Sequence, residues 1–382
     1  MSRIYLDNAA TTPMDKSVIA EMTQVMEQYF GNPSSIHAQG REVRTLIERA
    51  RKSVSSLLNA SPSEIFFTSG GTEADNTAIR CGIQAFGIKH AITSKIEHHA
   101  VEHTLNMLLK QGVIEKLSFV NVDKRGNVDY AHLEELLQQN QQSFVSLMHA
   151  NNELGTLTDM DRVGDLCEKY DAIYHSDTVQ TMGHYVHDTK KLKAHFLVCA
   201  AHKLHGPKGV GFLYVNSNIK ISPMIFGGAQ ERNMRGGTEN VYGIVGLAKA
   251  LEIAYADMQT HQDHIQGLKT YLKNRLESEI DDIEFNGETD PDKSLYTVLN
   301  VSFPAMEMAD MLLFNLDING ISASGGSACS SGSNIGSHVL SGIGADPNRP
   351  SVRFSFSKNN TMQELDIVVE QVKKIVAQNV NA

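Results

Sequence analysis

The chain has 382 residues, 41% hydrophobic and 20% charged, with a formal net charge of −10. That is enough apolar material for a large core and a second, smaller one, and the acidic balance argues against nucleic acid or an anionic membrane surface as the main partner, since both demand basic patches. No apolar run reaches the roughly 18 residues that span a bilayer, the first residues carry no apolar signal-peptide core, and Cys81, Cys167, Cys199 and Cys329 show no CxxC or metal-knuckle spacing. The expectation is a cytoplasmic protein with free thiols and no membrane association.

In chain order, Ile4 to Pro13 reads as an extended arm, followed by Val18, Ile19, Met22, Val25, Met26 and Tyr29 at helical spacing. Gly31-Asn-Pro-Ser-Ser35 breaks that helix, and the next carries Val43, Leu46, Ile47, Ala50, Val54, Leu57 and Leu58 on one face. Between residues 64 and 215, β-rich runs alternate with helical stretches. The runs are Ile65–Thr68, Ala91–Thr93, Leu117–Val120, Phe144–Met148, Ala172–Tyr174, Phe196–Val198 and Val210–Val215. Alternation of this kind predicts an α/β fold, a mainly parallel sheet with helices on both faces. The last two runs are joined by too few residues for a helical crossover, so that pair is expected to be antiparallel.

A polar glycine-rich stretch near residues 227–240 marks a composition shift, and one long helix is expected from there to about residue 280, linking two domains. Strands at Val298–Phe303 and Ser351–Phe356 and a helix at Met306–Leu316 follow. The end is punctuated by Thr361-Met-Gln-Glu364, which has capping-box spacing ahead of Leu365, Val368, Val369, Val372, Ile375 and Val376. The expected partition is a large domain over 15–258 and a smaller α+β domain from 1–14 with 259–382.

Chemistry concentrates at strand ends. A lysine at the end of a buried strand, Lys203 after Phe196–Ala201, sits where desolvation lowers an ammonium pKa and makes a Schiff-base nucleophile near neutral pH. Asp177 and Gln180 follow another apolar run, and Ser69-Gly-Gly-Thr72 turns a strand into a helix whose free N–H groups suit a phosphate. Taken together, an amine, a carboxylate and a phosphate cradle point to pyridoxal phosphate. Glu97-His98-His99-Ala-Val-Glu102-His103 has no HExxH pattern and no Cys partner, so a metal is not expected; a single imidazole stacked on an aromatic cofactor, and able to move protons near pH 7, fits better. Ser322 to Gly336 is almost all small residues around Cys329, which reads as a mobile loop bearing a nucleophilic or carrier thiol.

These segments closely resemble the cysteine desulfurases, fold-type I pyridoxal phosphate enzymes of the class V aminotransferase group. The resemblance runs through Tyr5-Leu-Asp-Asn-Ala-Ala-Thr-Thr-Pro13, Gly31-Asn-Pro-Ser-Ser35, Thr68-Ser-Gly-Gly-Thr-Glu73, Glu97-His98, Asn151-Asn-Glu-Leu-Gly155, His202-Lys203, Arg235-Gly-Gly-Thr238, Gly326-Ser-Ala-Cys329 and Ser351-Val-Arg353. The long loop around Cys329 is similar to the housekeeping and nitrogen-fixation branch. What the resemblance implies is a seven-stranded, mainly parallel sheet plus the smaller domain, and conversion of L-cysteine to L-alanine with the sulfur passed as a persulfide on Cys329.

By the same resemblance, Lys203 anchors the cofactor covalently, Asp177 holds its ring nitrogen, Gln180 its phenolic oxygen, and His98 stacks on the ring. Gly71, Thr72 and His202 bind phosphate, and Thr238 reaches the phosphate from the other subunit of a homodimer. Asn152 contacts cofactor and substrate, while Arg353, with Asn152 and Asn32, binds the substrate carboxylate. An iron-sulfur scaffold or another sulfur-cofactor assembly protein is the implied acceptor. Ala200 departs from the pattern, which commonly has a phosphate-binding serine there. A selenocysteine lyase or another class V enzyme is the alternative.

Overall fold

The seven β-rich runs assemble into one twisted sheet, and their order in it differs from their order in the chain. The computed structural model describes residues 3–140, 142–306, 311–325 and 336–380. The N-terminal arm contributes a short strand, β1 (Ile4–Tyr5), before helices α1 (Lys16–Gln28) and α2 (Ala38–Leu57). Then come β2 (Ile65–Thr68), α3 (Gly71–Phe86), β3 (His90–Ser94), α4 (His99–Lys110), β4 (Lys116–Val120), α5 (Tyr130–Gln138), β5 (Ser143–Ser146), α6 (Met160–Lys169), β6 (Ile173–Ser176), β7 (Phe196–Ala200) and β8 (Gly211–Val215). The sheet order is β2-β8-β7-β6-β5-β3-β4. Contacts from β4 through β7 are parallel, and β8 runs antiparallel to both β7 and β2. The expectation for the last pair therefore holds: only a short turn joins β7 to β8.

Burial on both faces explains why these strands read as continuous apolar runs rather than alternating ones. Phe196 and Val198 of β7 pack with Ala74, Ile79, Val101 and Leu105 from α3 and α4, whereas Leu197 and Cys199 pack on the opposite face with Val54, Ile244 and Leu247. Full burial of each such side chain is worth about 1.5–3 kcal/mol. Cys81, Cys167 and Cys199 are all buried and free.

Beyond the sheet, the expected single long helix is two: α7 (Val241–Ala256) and α8 (Met258–Glu279). Asp257 between them has φ −107° and ψ 13°, outside the helical region. An aspartate competes poorly for helix interiors, and with no glycine or proline at the junction the apolar pattern runs straight across it. A second sheet, β12-β10-β9, is formed antiparallel by β9 (Glu284–Asn286), β10 (Val298–Ser302) and β12 (Ser351–Ser355). Helix α9 (Leu312–Ile318), strand β11 (Ile321–Ser322), helix α10 (His338–Gly342) and helix α11 (Met362–Val380) complete the described elements. The expected helix at Met306–Leu316 lies partly outside the described residues, and its described part starts at Leu312.

The separate core of this region joins Leu268 and Leu272 of α8 to Val301, Val352, Val369 and Val372. The expected capping box is formed: Thr361 N donates to Glu364 Oε2 at 2.8 Å and Glu364 N to Thr361 Oγ1 at 3.3 Å. The N-terminal arm returns to this second region, with Ile4 paired to Ile321 and Ala9 N bonded to Ser355 Oγ at 2.8 Å. Among the described residues no helix is long and apolar enough to cross a membrane.

Candidate active site

The strands other than β8 run in one direction, so the loops at their C-terminal ends share one edge, where ligands bind in open α/β sheets. At that edge β2 hands over to α3 through Gly70, whose φ of +151° is open to glycine alone. Gly71, the first residue of α3, packs so closely that a Cβ there would stand 2.8 Å from Val179 Cγ2. No side chain caps this helix, so its first N–H groups and its positive dipole end are left for a ligand. Glu73 is engaged elsewhere, by Ser69 N at 2.9 Å and by Arg235 Nε at 3.0 Å.

Next along the edge, His98 caps α4, its Nδ1 accepting from Ala100 N at 3.1 Å. A neutral imidazole that accepts at Nδ1 carries its proton on Nε2. Burial pushes the His98 imidazolium down, against the opposing pull of Asp177, so the ring is poised to take and give a proton in neutral form. Asp177 emerges from β6 with one carboxylate oxygen accepting from Val179 N at 2.9 Å. One turn on, Gln180 Nε2 donates to Ala9 O at 3.1 Å. Strand β7 ends at Ala200, and a single 3-10 turn over Ala201–Lys203 delivers His202 and Lys203. Lys203 Nζ donates to Ala9 O at 2.5 Å and to Ala10 O at 2.8 Å. The N-terminal arm is thus the lysine's hydrogen-bonding partner, and the arm is held in turn by Thr12 N on His202 O at 2.9 Å.

Gly71, His98, Asp177, Gln180, His202, Lys203 and the arm residues Ala9 and Ala10 line one cavity of about 230 Å³, together with Thr72, Asn152 and Arg353. Its electrostatics separate the two carboxylates on its wall. Asp75 is fully buried, and burial first, then Asp177 and Glu97, push its carboxyl well above the usual range. Burial thus favours the neutral carboxyl of Asp75, which stands beside the His175 ring at 3.3 Å. Burial pushes His175 down to about 3 and His202 down to about 4, so both rings are neutral. One atom each of Asp75, His98 and Asp177 lie within 4.8 Å of one another, but burial disfavours the charged Asp75 carboxylate that a metal would take as a ligand. A cationic ring nitrogen against a single charged carboxylate suits the trio better.

Opposite the sheet edge, β12 brings Arg353, 1% exposed. Its guanidinium donates to Asn152 O at 2.9 Å and Asp7 Oδ1 at 2.8 Å, while its buried Nε has no hydrogen-bond partner among the described residues. A fixed cation facing a cavity is built for an anion, and its planar fork matches a carboxylate.

The donor set fits pyridoxal phosphate. In a cavity of the right size, an uncapped helix N-terminus, a carboxylate and a lysine suit the phosphate, the pyridinium nitrogen and the aldehyde respectively. Of the expected site residues, Gly71, Thr72, His98, Asn152, Asp177, Gln180, His202, Lys203 and Arg353 come together here. Thr238 and Asn32 do not. Thr238 lines a neighbouring cavity of about 130 Å³ with Arg235 and Glu239, and the Asn32 carboxamide turns back to accept from Ser34 N at 2.9 Å. Cys329 lies outside the described residues. Sequence reasoning assigned no role to Asp7, Asp75 or the Ala9 and Ala10 carbonyls. None has a periodic signal; Asp75 alone could have been noticed, as a carboxylate on an otherwise apolar helix face.

The model of the family described as aminotransferase class-V matches residues 4–368. The chain belongs to the class-V aminotransferase family. It is 41% identical to a cysteine desulfurase IscS of Dictyoglomus turgidum, over 98% of this chain and 94% of that one. It is 42% identical to a cysteine desulfurase IscS of Methanosarcina thermophila, over 98% of this chain and 92% of that one. Among solved structures, a NifS-like protein superimposes with a TM-score of 0.90 at 36% identity, over 98% of this chain and all of the other. SspA in complex with cysteine does so at 0.80 and 30% identity, over 94% of this chain and all of the other. The fold class expected from alternating elements is that of the family.

Proposed function

We propose that the protein is a cysteine desulfurase that binds pyridoxal phosphate, converts L-cysteine to L-alanine and passes the sulfur as a persulfide on Cys329 to an acceptor protein. The observation that carries this reading is the convergence of Lys203, Asp177, Gln180, His98 and the open N-terminus of α3 on one cavity with Arg353 across from them. Lys203 holds the cofactor and moves the Cα proton of the substrate. When bound, pyridoxal phosphate supplies the electron sink for bond cleavage at the amino acid.

Asp177 keeps the ring nitrogen protonated, and Gln180 is placed for the phenolic oxygen. The neutral His98 imidazole moves a proton at Nε2 beside the reacting carbons. Arg353 orients the substrate by its carboxylate. Cys329 Sγ, as thiolate, attacks the substrate sulfur: the carbon–sulfur bond breaks, a sulfur–sulfur bond forms, and the amino acid leaves as alanine. A homodimer in which Thr238 completes the partner's phosphate site, a division into 15–258 and 1–14 with 259–382, a cytoplasmic location and an iron-sulfur scaffold as acceptor belong to the same proposal. An apolar cluster whose fully buried members all come from 1–14 and 259–382 supports the division.

Borohydride reduction of the purified protein, digestion and mass mapping should place the cofactor on Lys203; a label on Lys208, or none, refutes the assignment. The Cys329→Ser variant should keep the cofactor's visible absorption, change its spectrum on addition of cysteine, and release no alanine. Brief exposure of the wild type to cysteine should leave the peptide containing Cys329 heavier by one sulfur. Normal alanine release by the serine variant, or a persulfide only on Cys81, Cys167 or Cys199, removes Cys329 from the reaction.

A further inference from the structure

Beside the active-site cavity, with the His99 ring centroid 6.4 Å from that of His98, stands a second polar cluster that the proposed reaction does not use. His99 and Glu102 are three residues apart on α4 and so share a face, with Nδ1 and Oε2 at 3.5 Å. His338, the first residue of α10, lays its ring against His99, centroids 4.2 Å apart and planes inclined by 33°. One nitrogen or oxygen from each of the three lies within 4.8 Å of those of the other two, and all three side chains are half-buried.

The hydrogen bonding around the cluster leaves lone pairs over. His338 Nε2 is 2.8 Å from Glu97 O. A carbonyl can only accept, so Nε2 carries the proton and Nδ1 is a bare donor to a cation. An imidazole bonded to a backbone carbonyl through its other nitrogen is the usual arrangement around a metal-bound histidine, fixing tautomer and ring orientation. His99 Nδ1 is buried and, among the described residues, has no hydrogen-bond partner closer than Glu102 Oε2 at 3.5 Å. Besides facing His99, Glu102 accepts among the described residues from Asn106 Nδ2, at 3.4 Å on its other oxygen. As packing alone, the cluster would hold one long His99–Glu102 contact at 3.5 Å and would leave the His338 Nδ1 lone pair beside it without a hydrogen bond among the described residues.

We propose that His99, Glu102 and His338 form a zinc-binding site, with the fourth position open to water. Two imidazoles and one carboxylate are the donor set of an open three-ligand zinc site. In tetrahedral geometry with bonds near 2.0–2.1 Å, ligand atoms stand about 3.3 Å apart. The His99–Glu102 pair already has that spacing at 3.5 Å, and side-chain rotation of order 1 Å closes the rest. The ion would tie α10 to the start of α4, next to the residue that caps it, and it is separate from Asp75, His98 and Asp177.

The cofactor-loaded protein, stripped of metal by a chelator and kept free of cysteine, which itself binds zinc, is titrated with Zn²⁺ against a chromophoric competitor. One zinc per chain is expected in the wild type and in Cys329→Ser. Affinity should fall at least about tenfold in Glu102→Gln and in His338→Gln, with the cofactor absorption of both variants unchanged as evidence that they are folded. Co²⁺ in place of Zn²⁺ should give visible ligand-field absorption that both variants lose. Absence of stoichiometric zinc, or wild-type affinity in both variants, overturns the proposal. Loss of zinc in Cys329→Ser with retention in the other two also overturns it, by assigning the ion to the thiol.

Discussion

Replacing Arg353 by lysine keeps the positive charge and removes the fork. In the structure the guanidinium spends one nitrogen on Asn152 O and one on Asp7 Oδ1, at 2.9 and 2.8 Å, and keeps its buried Nε unpartnered among the described residues. Lysine has one ammonium and no planar pair of donors, so it can hold Asp7 or a substrate carboxylate well, but not both. Loss of one hydrogen bond to a charged group costs about 1.5–3 kcal/mol. At 1.4 kcal/mol per decade, that is a fall of roughly 10- to 150-fold in kcat/KM for cysteine.

The fold should tolerate the change, because Asp7 Oδ1 keeps Ser324 Oγ at 2.7 Å. The cofactor absorption should therefore be unaltered. Steady-state alanine release gives kcat/KM, and inhibition by L-alanine and by ethylamine, which lacks the carboxylate, separates the causes. Arg353→Lys should weaken L-alanine by a similar factor and leave ethylamine unchanged. An equal loss for both amines, or kcat/KM within twofold of wild type, would refute carboxylate recognition by Arg353.

Two further expectations concern the cavity. Ala200 is buried at its wall, 3% exposed, where a hydroxyl is usual in the family resemblance; Ala200→Ser should tighten the cofactor by up to the same 1.5–3 kcal/mol, measured by equilibrium dialysis, and equal or weaker affinity would mean that the phosphate is already satisfied. Glu97 is fully buried, and burial, with a smaller push from Asp177, outweighs its bond from Met148 N and raises its carboxyl to about 8. Because this folded-state value lies above the unfolded one, the group's contribution to stability is complete below about pH 4.5 and is lost as pH rises towards 8. Glu97→Gln cannot titrate, so its thermal midpoint should decline less between pH 5 and 8 than that of the wild type, and identical slopes would show that Glu97 stays ionised.

The sequence by itself determined the parts whose cause is local. Apolar runs between polar turns placed the seven strands to within one or two residues, because strands buried on both faces can contain little else. The short span from Ala200 to Val210 required an antiparallel pair. Lys203, Asp177 and Gly71 were legible as site residues because each follows a strand directly, and in an α/β sheet strand ends are where ligands meet the chain. The tertiary structure decided what depends on strands far apart in sequence becoming neighbours. Asp7 and Arg353 are 346 positions apart and form one ion pair, Lys203 rests on carbonyls of the N-terminal arm, and the Asp75 carboxyl is pushed up chiefly by burial under the sheet, with Asp177 and Glu97 adding to it. His99 reads in sequence as one more polar residue of an amphipathic helix. It becomes a candidate ligand only where α10 lays His338 against it, since no local rule of spacing carries information about which distant helix will arrive.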